Sequence, residues 1–118
     1  MSQADFGSKL NQLKLAGFFD SLEINRGIEK ESLRVNAEGK IASTRHPRAL
    51  GSALTNPSIT TDFAESLIEL VTPVFQDIDD LYEYLLMLHV FVNQNLNDEV
   101  LWAYSMPPRI DDEDSIDI

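Results

Sequence analysis

The amino-acid sequence predicts an α+β domain, in which one long helix covers an antiparallel sheet. The first observation is a polar–apolar alternation over residues 26–36, which ends in the turn-forming letters NAEG before apolar residues resume. This pattern predicts a β-hairpin over residues 26–43. The second observation is residues 77–97, where apolar side chains recur every three or four positions after Asp77, a favoured N-cap residue. A helix of about 20 residues spans about 30 Å, which is long enough to cover a sheet.

Three further segments complete the predicted order of elements. Residues 8–22 predict a short amphipathic helix that begins at Ser8, a plausible N-cap residue. Residues 59–62 and 67–72 predict two strands joined by an irregular segment. The β-branched residues in these segments favour strand, and the proline that follows the second strand favours extended backbone before it.

The length and the end of the chain indicate a single domain. The chain has 118 residues, of which 43% are hydrophobic, and this is enough for one core. We expect residues 1–118 to form a single partial domain. Residues 108–118 combine a proline with a run of acidic side chains, so we expect an irregular tail there.

Composition excludes or disfavours several classes of function. The chain has no cysteine, so it can form no disulfide, zinc–thiolate site or cysteine nucleophile. Its formal net charge is −11, and because an acidic surface repels phosphate backbones we expect no nucleic-acid partner. There is no Walker A loop and no GxGxxG motif, so nucleotide binding needs another architecture. The sequence shows no leader pattern and no apolar run of membrane-spanning length, and we expect a cytoplasmic protein without a membrane partner.

Glu29 and Glu31 raise the first question about function. Residues two apart on a strand face the same side, so the two carboxylates share a face with the aliphatic residues that follow them. Two unit charges about 7 Å apart repel by roughly 2.4 kcal/mol at an effective dielectric constant of 20. The nearest cations, Lys30 and Arg34, point to the opposite face. Charge on an edge strand is one explanation, since it discourages pairing between molecules; solvent, an arginine from elsewhere or a metal ion would also offset the repulsion.

Glu69 is a further carboxylate that shares a predicted strand face with aliphatic residues. It lies inside the aliphatic run Leu67–Val71, and Asp62 precedes that run. A lone glutamate in such a strand is explained most simply by a solvated face. If the two strands pair, however, three or four carboxylates meet on one face of the sheet. Mg²⁺ takes oxygen ligands, commonly one or two carboxylates with phosphate and water, so the combination predicts an acidic Mg²⁺ site on a sheet.

The segment RGIEKESLRVNAEGKIASTRHPRALGSALTNPSITTDFAESLIELVTP closely resembles the N-terminal part of proteobacterial glutamate–cysteine ligases. The resemblance covers about residues 22–110 and includes the blocks HPRALGSAL and ITTDFAE and the later SMP. Several matching blocks in the same order are far more specific than one motif. The resemblance implies ATP- and Mg²⁺-dependent ligation of the γ-carboxyl of L-glutamate to the amine of L-cysteine through a γ-glutamyl phosphate, the first step of glutathione biosynthesis.

The resemblance also implies a fold and a set of site residues. The fold is the N-terminal part of a glutamine-synthetase-like fold, whose curved antiparallel sheet holds acidic metal ligands on its concave face. At the matching positions, Glu29, Glu31 and Glu69 would be Mg²⁺ ligands. Asp62 would lie in or beside that site, and Phe63 would help to line the cysteine pocket. No residue is assigned to the bond-making steps, because carboxylates that hold the ion need not react.

Members of this family are several times longer than 118 residues. We therefore expect an N-terminal fragment that is inactive alone and whose main partner is the remainder of the ligase polypeptide. Two alternatives stay open. One is a related carboxylate–amine ligase that uses another amine. The other is a non-catalytic folding or interaction module derived from the ligase, which would self-associate through exposed sheet edges.

Overall fold

The computed structural model describes residues 3–112 and Ile116. Within these residues the strands are β1 (Glu29–Val35), β2 (Ile59–Thr61), β3 (Leu67–Val71) and β4 (Val100–Leu101), and the helices are α1 (Gln3–Leu15) and α2 (Ile78–Gln94), with 3₁₀ turns at Phe18–Ser21 and Arg48–Leu50. The strands form one sheet in the order β2-β3-β1-β4, and every neighbouring pair is antiparallel. The predicted α+β class is confirmed. None of the described helices combines the length and the apolar character needed to cross a membrane.

The register between β1 and β3 gives the sheet two chemically different faces. Glu31 lies directly opposite Glu69, and Glu29 shares their side because side chains alternate along a strand. Ile68 and Leu70, the two neighbours of Glu69 in β3, point to the other side and are completely buried. The side that carries the three glutamates is called the acidic face below.

The core lies between α2 and the side of the sheet behind the acidic face. Removal of apolar side chains from water is the main force that holds these two layers together. The buried cluster consists of Leu50, Ile59, Ile68, Leu70, Leu88, Val92 and Leu96, with Tyr84, Leu85 and Leu101 packed against it. The predicted long covering helix is therefore confirmed.

The first turn of α2 is capped as its sequence predicts. The Asp77 carboxylate accepts hydrogen bonds from the backbone N–H groups of Asp79 and Asp80, which satisfies donors that have no partner inside the helix. The helix ends at Gln94, a few residues before the predicted end. The backbone leaves helical geometry at the C-cap Asn95, which has a φ of −114° and a ψ of 8°, and Asn97, with a φ of 53°, prevents the helix from resuming.

The predicted hairpin at residues 26–43 is present in a reduced form. Its turn is closed by the side chain of Asn36, whose Oδ1 accepts hydrogen bonds from two backbone N–H groups of the turn. After the turn, a single antiparallel bridge joins Ile41 to Val35. The opposite edge of β1 is paired by β4, which lies against the last two residues of β1.

The predicted N-terminal helix is present, but its limits at residues 8–22 are wrong. Helix α1 already includes Gln3, so Ser8 lies in its interior and is not the N-cap. The helix ends at Leu15 because Gly17 adopts a φ of 67°, which breaks the helical backbone. Leu10 and Leu13 are 41% and 42% exposed, so the apolar stripe of α1 does not join the core.

The two strands predicted at residues 59–62 and 67–72 are confirmed to within one residue as β2 and β3. Their β-branched and aliphatic content fits a sheet that is covered on one side. The join between them, residues 62–66, is irregular as expected and is called the 62–66 loop below.

The predicted tail at residues 108–118 is partly tied to the turn after β1. The backbone N–H of Arg109 donates to the carbonyl of Gly39 at 3.3 Å, and the side chains of Lys40 and Asp111 form an ion pair. Residues 113–115 and 117–118 of this predicted tail lie outside the described residues. The extent of the domain stays a prediction.

Replacing Leu88 with alanine should lower the free energy of unfolding by about 2 to 5 kcal/mol, because it leaves a cavity between α2 and the sheet. Leu86 on the same helix is 48% exposed and supplies the matched control. Leu86→Ala should change the free energy by less than about 0.5 kcal/mol. Urea unfolding followed by circular dichroism measures both changes. Equal losses in the two variants would contradict the assignment of the buried side of α2.

Candidate metal and substrate site

Three glutamates lie together in the middle of the acidic face. Glu31 and Glu69 are directly opposite each other on β1 and β3, and in such pairs the Cβ atoms are typically about 4.5 to 5.5 Å apart. Glu29 lies two residues before Glu31 and opposite Val71. Glu29 and Glu31 are exposed, whereas Glu69 is partly buried. Strand alternation and antiparallel register together bring the three carboxylates to one side.

The environment of Glu69 shows that the carboxylates are close enough to influence one another. Burial raises the pKa of Glu69 above its ordinary value of 4.5, and the negative charges of Glu29, Asp62 and Glu31 raise it further. Asp62 comes directly after β2, at the start of the 62–66 loop. The four acidic residues named from the sequence therefore form one electrostatic cluster.

This cluster is not a preformed cage for a cation. Among residues 3–112 and 116, no three Asp, Glu or His side chains are arranged closely enough to hold a metal ion. Repulsion between like charges favours such separation, and a cation between the carboxylates would remove it. Carboxylate oxygens on an open face, with room for phosphate and water, fit the ligands that Mg²⁺ prefers. The ligand roles of Glu29, Glu31, Glu69 and Asp62 stay predictions.

An apolar cavity of 610 Å³ borders the acidic face. Leu33 and Leu67, which form part of its wall, are paired across β1 and β3 two residues beyond Glu31 and Glu69. The full lining comprises Leu33, Ile41, Phe63, Ala64, Leu67, Ile110 and Ile116. Phe63 projects from the 62–66 loop and is 71% exposed. The sheet thus presents charge and apolar surface side by side, and the assignment of Phe63 to a cysteine pocket stays a prediction.

A buried arginine lies behind the acidic face. Arg34 in β1 points to the covered side of the sheet and has no exposed surface. Its Nη1 donates to Glu99 Oε2 at 2.5 Å and to Thr44 Oγ1 at 2.6 Å, and its Nη2 donates to the carbonyls of Thr44 at 2.6 Å and Glu65 at 2.9 Å. Removing a charge from water costs several kcal/mol, which the ion pair and these hydrogen bonds offset. Arg34 joins segments that are far apart along the chain.

Glu65 is also held from a second side. Its Oε2 accepts a hydrogen bond from the backbone N–H of His46 at 2.8 Å. Burial lowers the pKa of the His46 imidazole, the charge of Arg34 lowers it further, and Glu65 opposes both effects. A neutral imidazole at physiological pH therefore adds no second positive charge beside Arg34.

Reasoning from the sequence located the carboxylates but missed the cluster around Arg34. The alternation of β1 correctly placed Glu29 and Glu31 on one face and Arg34 on the other. It did not show that the face of Arg34 is the buried one. The sequence does contain an indication that Arg34 is paired: β3 is aliphatic on that side, and a charge packed against aliphatic residues needs a partner. Thr44 and Glu99 lie far along the chain, so no local pattern identifies them as the partners.

Replacing Glu69 with glutamine should stabilise the metal-free protein at neutral pH. The change keeps the size of the side chain and removes a charge that Glu29, Asp62 and Glu31 repel. Like charges directly opposite each other on a sheet cost up to about 1 kcal/mol. Because the folded-state pKa is raised, this cost is present above that pKa and disappears as the pH falls below 4.5.

The midpoint of urea unfolding, measured at neutral pH and below pH 4.5, tests whether Glu69→Gln stabilises the protein only at the higher pH. The control is Glu38→Gln, which removes an exposed charge in the turn after β1 and should leave the midpoint unchanged. A lower midpoint for Glu69→Gln at neutral pH would contradict repulsion at this site.

Comparison with known proteins identifies relatives over most of the chain. The family model described as glutamate-cysteine ligase matches residues 10–118. A glutamate–cysteine ligase of Hahella chejuensis is 55% identical over 97 residues, which is 81% of this chain and 18% of that protein. One of Sodalis glossinidius is 52% identical over 95 residues, or 80% of this chain and 18% of that protein.

Solved structures agree with these matches. A glutamate–cysteine ligase of Francisella tularensis in complex with AMP superimposes with a TM-score of 0.75 at 42% identity, over 78% of this chain and 18% of that one. A bifunctional glutathione synthetase of Pasteurella multocida gives a TM-score of 0.74 at 40% identity, over 78% of this chain and 13% of that one.

The chain spans about a fifth of the length of the curated relatives that it matches. The family model nevertheless covers most of the chain, and its match includes β1, β3 and the 62–66 loop, which carry the acidic face. On this evidence the chain belongs to the glutamate–cysteine ligase family.

Proposed function

We propose that this chain carries part of the Mg²⁺, ATP and substrate site of an ATP-dependent ligase that joins the γ-carboxyl of L-glutamate to the amine of L-cysteine. The observation that carries the proposal is the direct pairing of Glu31 with Glu69 on the acidic face, in a chain of this family. The proposal includes a cytoplasmic location and association with the remainder of a ligase polypeptide. The likeness to an AMP-bound ligase supports the use of a nucleotide.

The acidic face fits the electrostatic demands of this reaction. A γ-carboxylate oxygen of glutamate bonds to the γ-phosphorus of ATP while ADP leaves, and the cysteine amine then attacks the resulting acyl phosphate while phosphate leaves. The first step brings two anions together, so its barrier is largely electrostatic. Bound Mg²⁺ would neutralise charge on the phosphates and align them. Glu29, Glu31, Glu69 and Asp62 would hold that ion without taking part in bond making.

The apolar cavity fits the side chain of the second substrate, cysteine. Cysteine has a small, weakly polar side chain, and its thiol packs well against hydrocarbon and aromatic surface. Phe63, Leu33 and Leu67 present such a surface beside the carboxylates. They would also limit the access of water to an acyl phosphate, which water hydrolyses. The adjacency of the charged and apolar zones suits a reaction that joins a phosphorylated acid to this amine.

Mg²⁺ titration of the 118-residue chain tests the metal site. Amide resonances of β1 and β3 near Glu31 and Glu69 should shift on addition of Mg²⁺, and binding should be weak because only some ligands are present. Glu31→Gln and Glu69→Gln should each weaken binding by about tenfold or more. Glu38→Gln is the control and should retain wild-type binding. Unchanged resonances around both strands in the wild-type protein would contradict the proposed metal site.

A chimaeric enzyme tests the reaction. This chain's segment would replace the matching segment of the Hahella chejuensis ligase, to which it is 55% identical. Phosphate release that depends on ATP, L-glutamate and L-cysteine should be retained. Removal of one cation ligand should reduce the rate by about a hundredfold or more in Glu31→Gln or Glu69→Gln, whereas Glu38→Gln should match the parent chimaera. Full activity in Glu69→Gln would contradict the proposal, and a preference for another amine would favour a related carboxylate–amine ligase.

A further inference from the structure

We infer that Arg34 is a positioning residue of this site: from behind the acidic face it holds the 62–66 loop, which carries Asp62 and Phe63. The inference rests on the proposed function, because it assigns Arg34 a part in that same site. Arg34 does not reach the acidic face, so it acts through the backbone that it binds and not through contact with a ligand.

Two hydrogen bonds connect Arg34 directly to the loop. The backbone N–H of Arg34 donates to the carbonyl of Ser66 at 2.7 Å, and its Nη2 donates to the carbonyl of Glu65 at 2.9 Å. The same residue thus binds two consecutive carbonyls, one with its backbone and one with its side chain. The side-chain bond lies outside the ladder between β1 and β3, so the identity of the side chain decides whether it forms.

The guanidinium is itself held in place from the opposite direction. Thr44 accepts through both its hydroxyl oxygen and its carbonyl, and the Glu99 carboxylate forms the ion pair. The planar guanidinium can serve Glu65, Thr44 and Glu99 at once because its donors diverge in a fixed plane. A lysine ammonium has the charge but not this geometry, so it would satisfy fewer of these acceptors.

The loop and the strands differ in how much they depend on Arg34. Glu31 and Glu69 are placed by the β1–β3 ladder, which continues through residues far from the guanidinium. Within the loop itself, the Leu67 N–H donates to the Ala64 carbonyl at 2.9 Å, and the Asp62 N–H reaches the Leu67 carbonyl at 3.4 Å. These bonds, the Arg34 N–H bond to Ser66 and the His46 N–H bond to Glu65 hold the loop without the guanidinium, which adds the bond to the Glu65 carbonyl. Loss of the Arg34 side chain should therefore loosen the middle of the loop more than the ladder, which does not use that side chain.

Amide hydrogen exchange in the metal-free 118-residue chain tests the inference. Arg34→Lys should raise the exchange rates of residues 64–67 by about tenfold or more relative to those of β1 and β3 residues near Glu69. Thr44→Val removes one acceptor of the guanidinium, keeps the shape of the side chain and should show the same selectivity if Arg34→Lys does not fold. Leu88→Ala is the control, because it destabilises the fold from the core without touching the loop.

Mg²⁺ titration of the same variants supplies the second measurement. Arg34→Lys should weaken Mg²⁺ binding more than Leu88→Ala does, since it loosens the loop that carries Asp62 while leaving the glutamate pair in register. Selective release of the loop supports the inference whether or not the wild-type chain binds Mg²⁺, and absence of Mg²⁺ binding in the wild type contradicts the proposed function alone. In Leu88→Ala, the exchange rates of loop and ladder amides should rise equally. If they also rise equally in Arg34→Lys and Thr44→Val, the inference is overturned, because Arg34 then contributes only to overall stability.

Discussion

The rest of the structure depends on the register between β1 and β3. Glu31 opposes Glu69 while the neighbouring Ser32 opposes Ile68, so one ladder sets the acidic face and the core face together. Side chains alternate with a period of two, and a slip of one residue would turn Ile68 and Leu70 to solvent and the glutamates toward α2. Such a slip loses apolar burial and buries charge at the same time. The core and the candidate site therefore select the same register.

This coupling lets the sheet carry a cluster that opposes folding. Burial first, and then the charges of Glu29, Asp62 and Glu31, raise the pKa of Glu69, so its charged form is unfavourable in the metal-free protein. The apolar contacts between α2 and the opposite side of the sheet offset that repulsion, as does the capped start of the helix. A cation bound between such carboxylates would supply the compensating charge.

The polar cluster around Arg34 links regions that the ladder does not reach. Glu99 follows α2, Thr44 follows the turn after β1, and Glu65 lies in the 62–66 loop. One guanidinium therefore connects the residue that precedes β4 with the segment after the turn of β1 and with the 62–66 loop. Breaking such a buried pair from one side leaves an uncompensated charge, so the geometry of the loops and the stability of the fold are coupled at this residue.

The sequence by itself determined the elements that depend on local chemistry and periodicity. Alternation identified β1 and helical spacing identified α2 to within a few residues, while β-branched content and the proline after it identified β3. The Asp77 cap located the start of α2, and the alternation of β1 put Glu29 and Glu31 on one face. The limits predicted for the N-terminal helix were wrong, because α1 has no core contact to define them and Gly17 decides where the helix ends. Only the tertiary structure decided that β4 lies beside β1, that Glu31 meets Glu69, and that Arg34 faces the core. Each of these is a pairing between distant segments, and its free energy depends on what the whole chain buries and not on any local pattern.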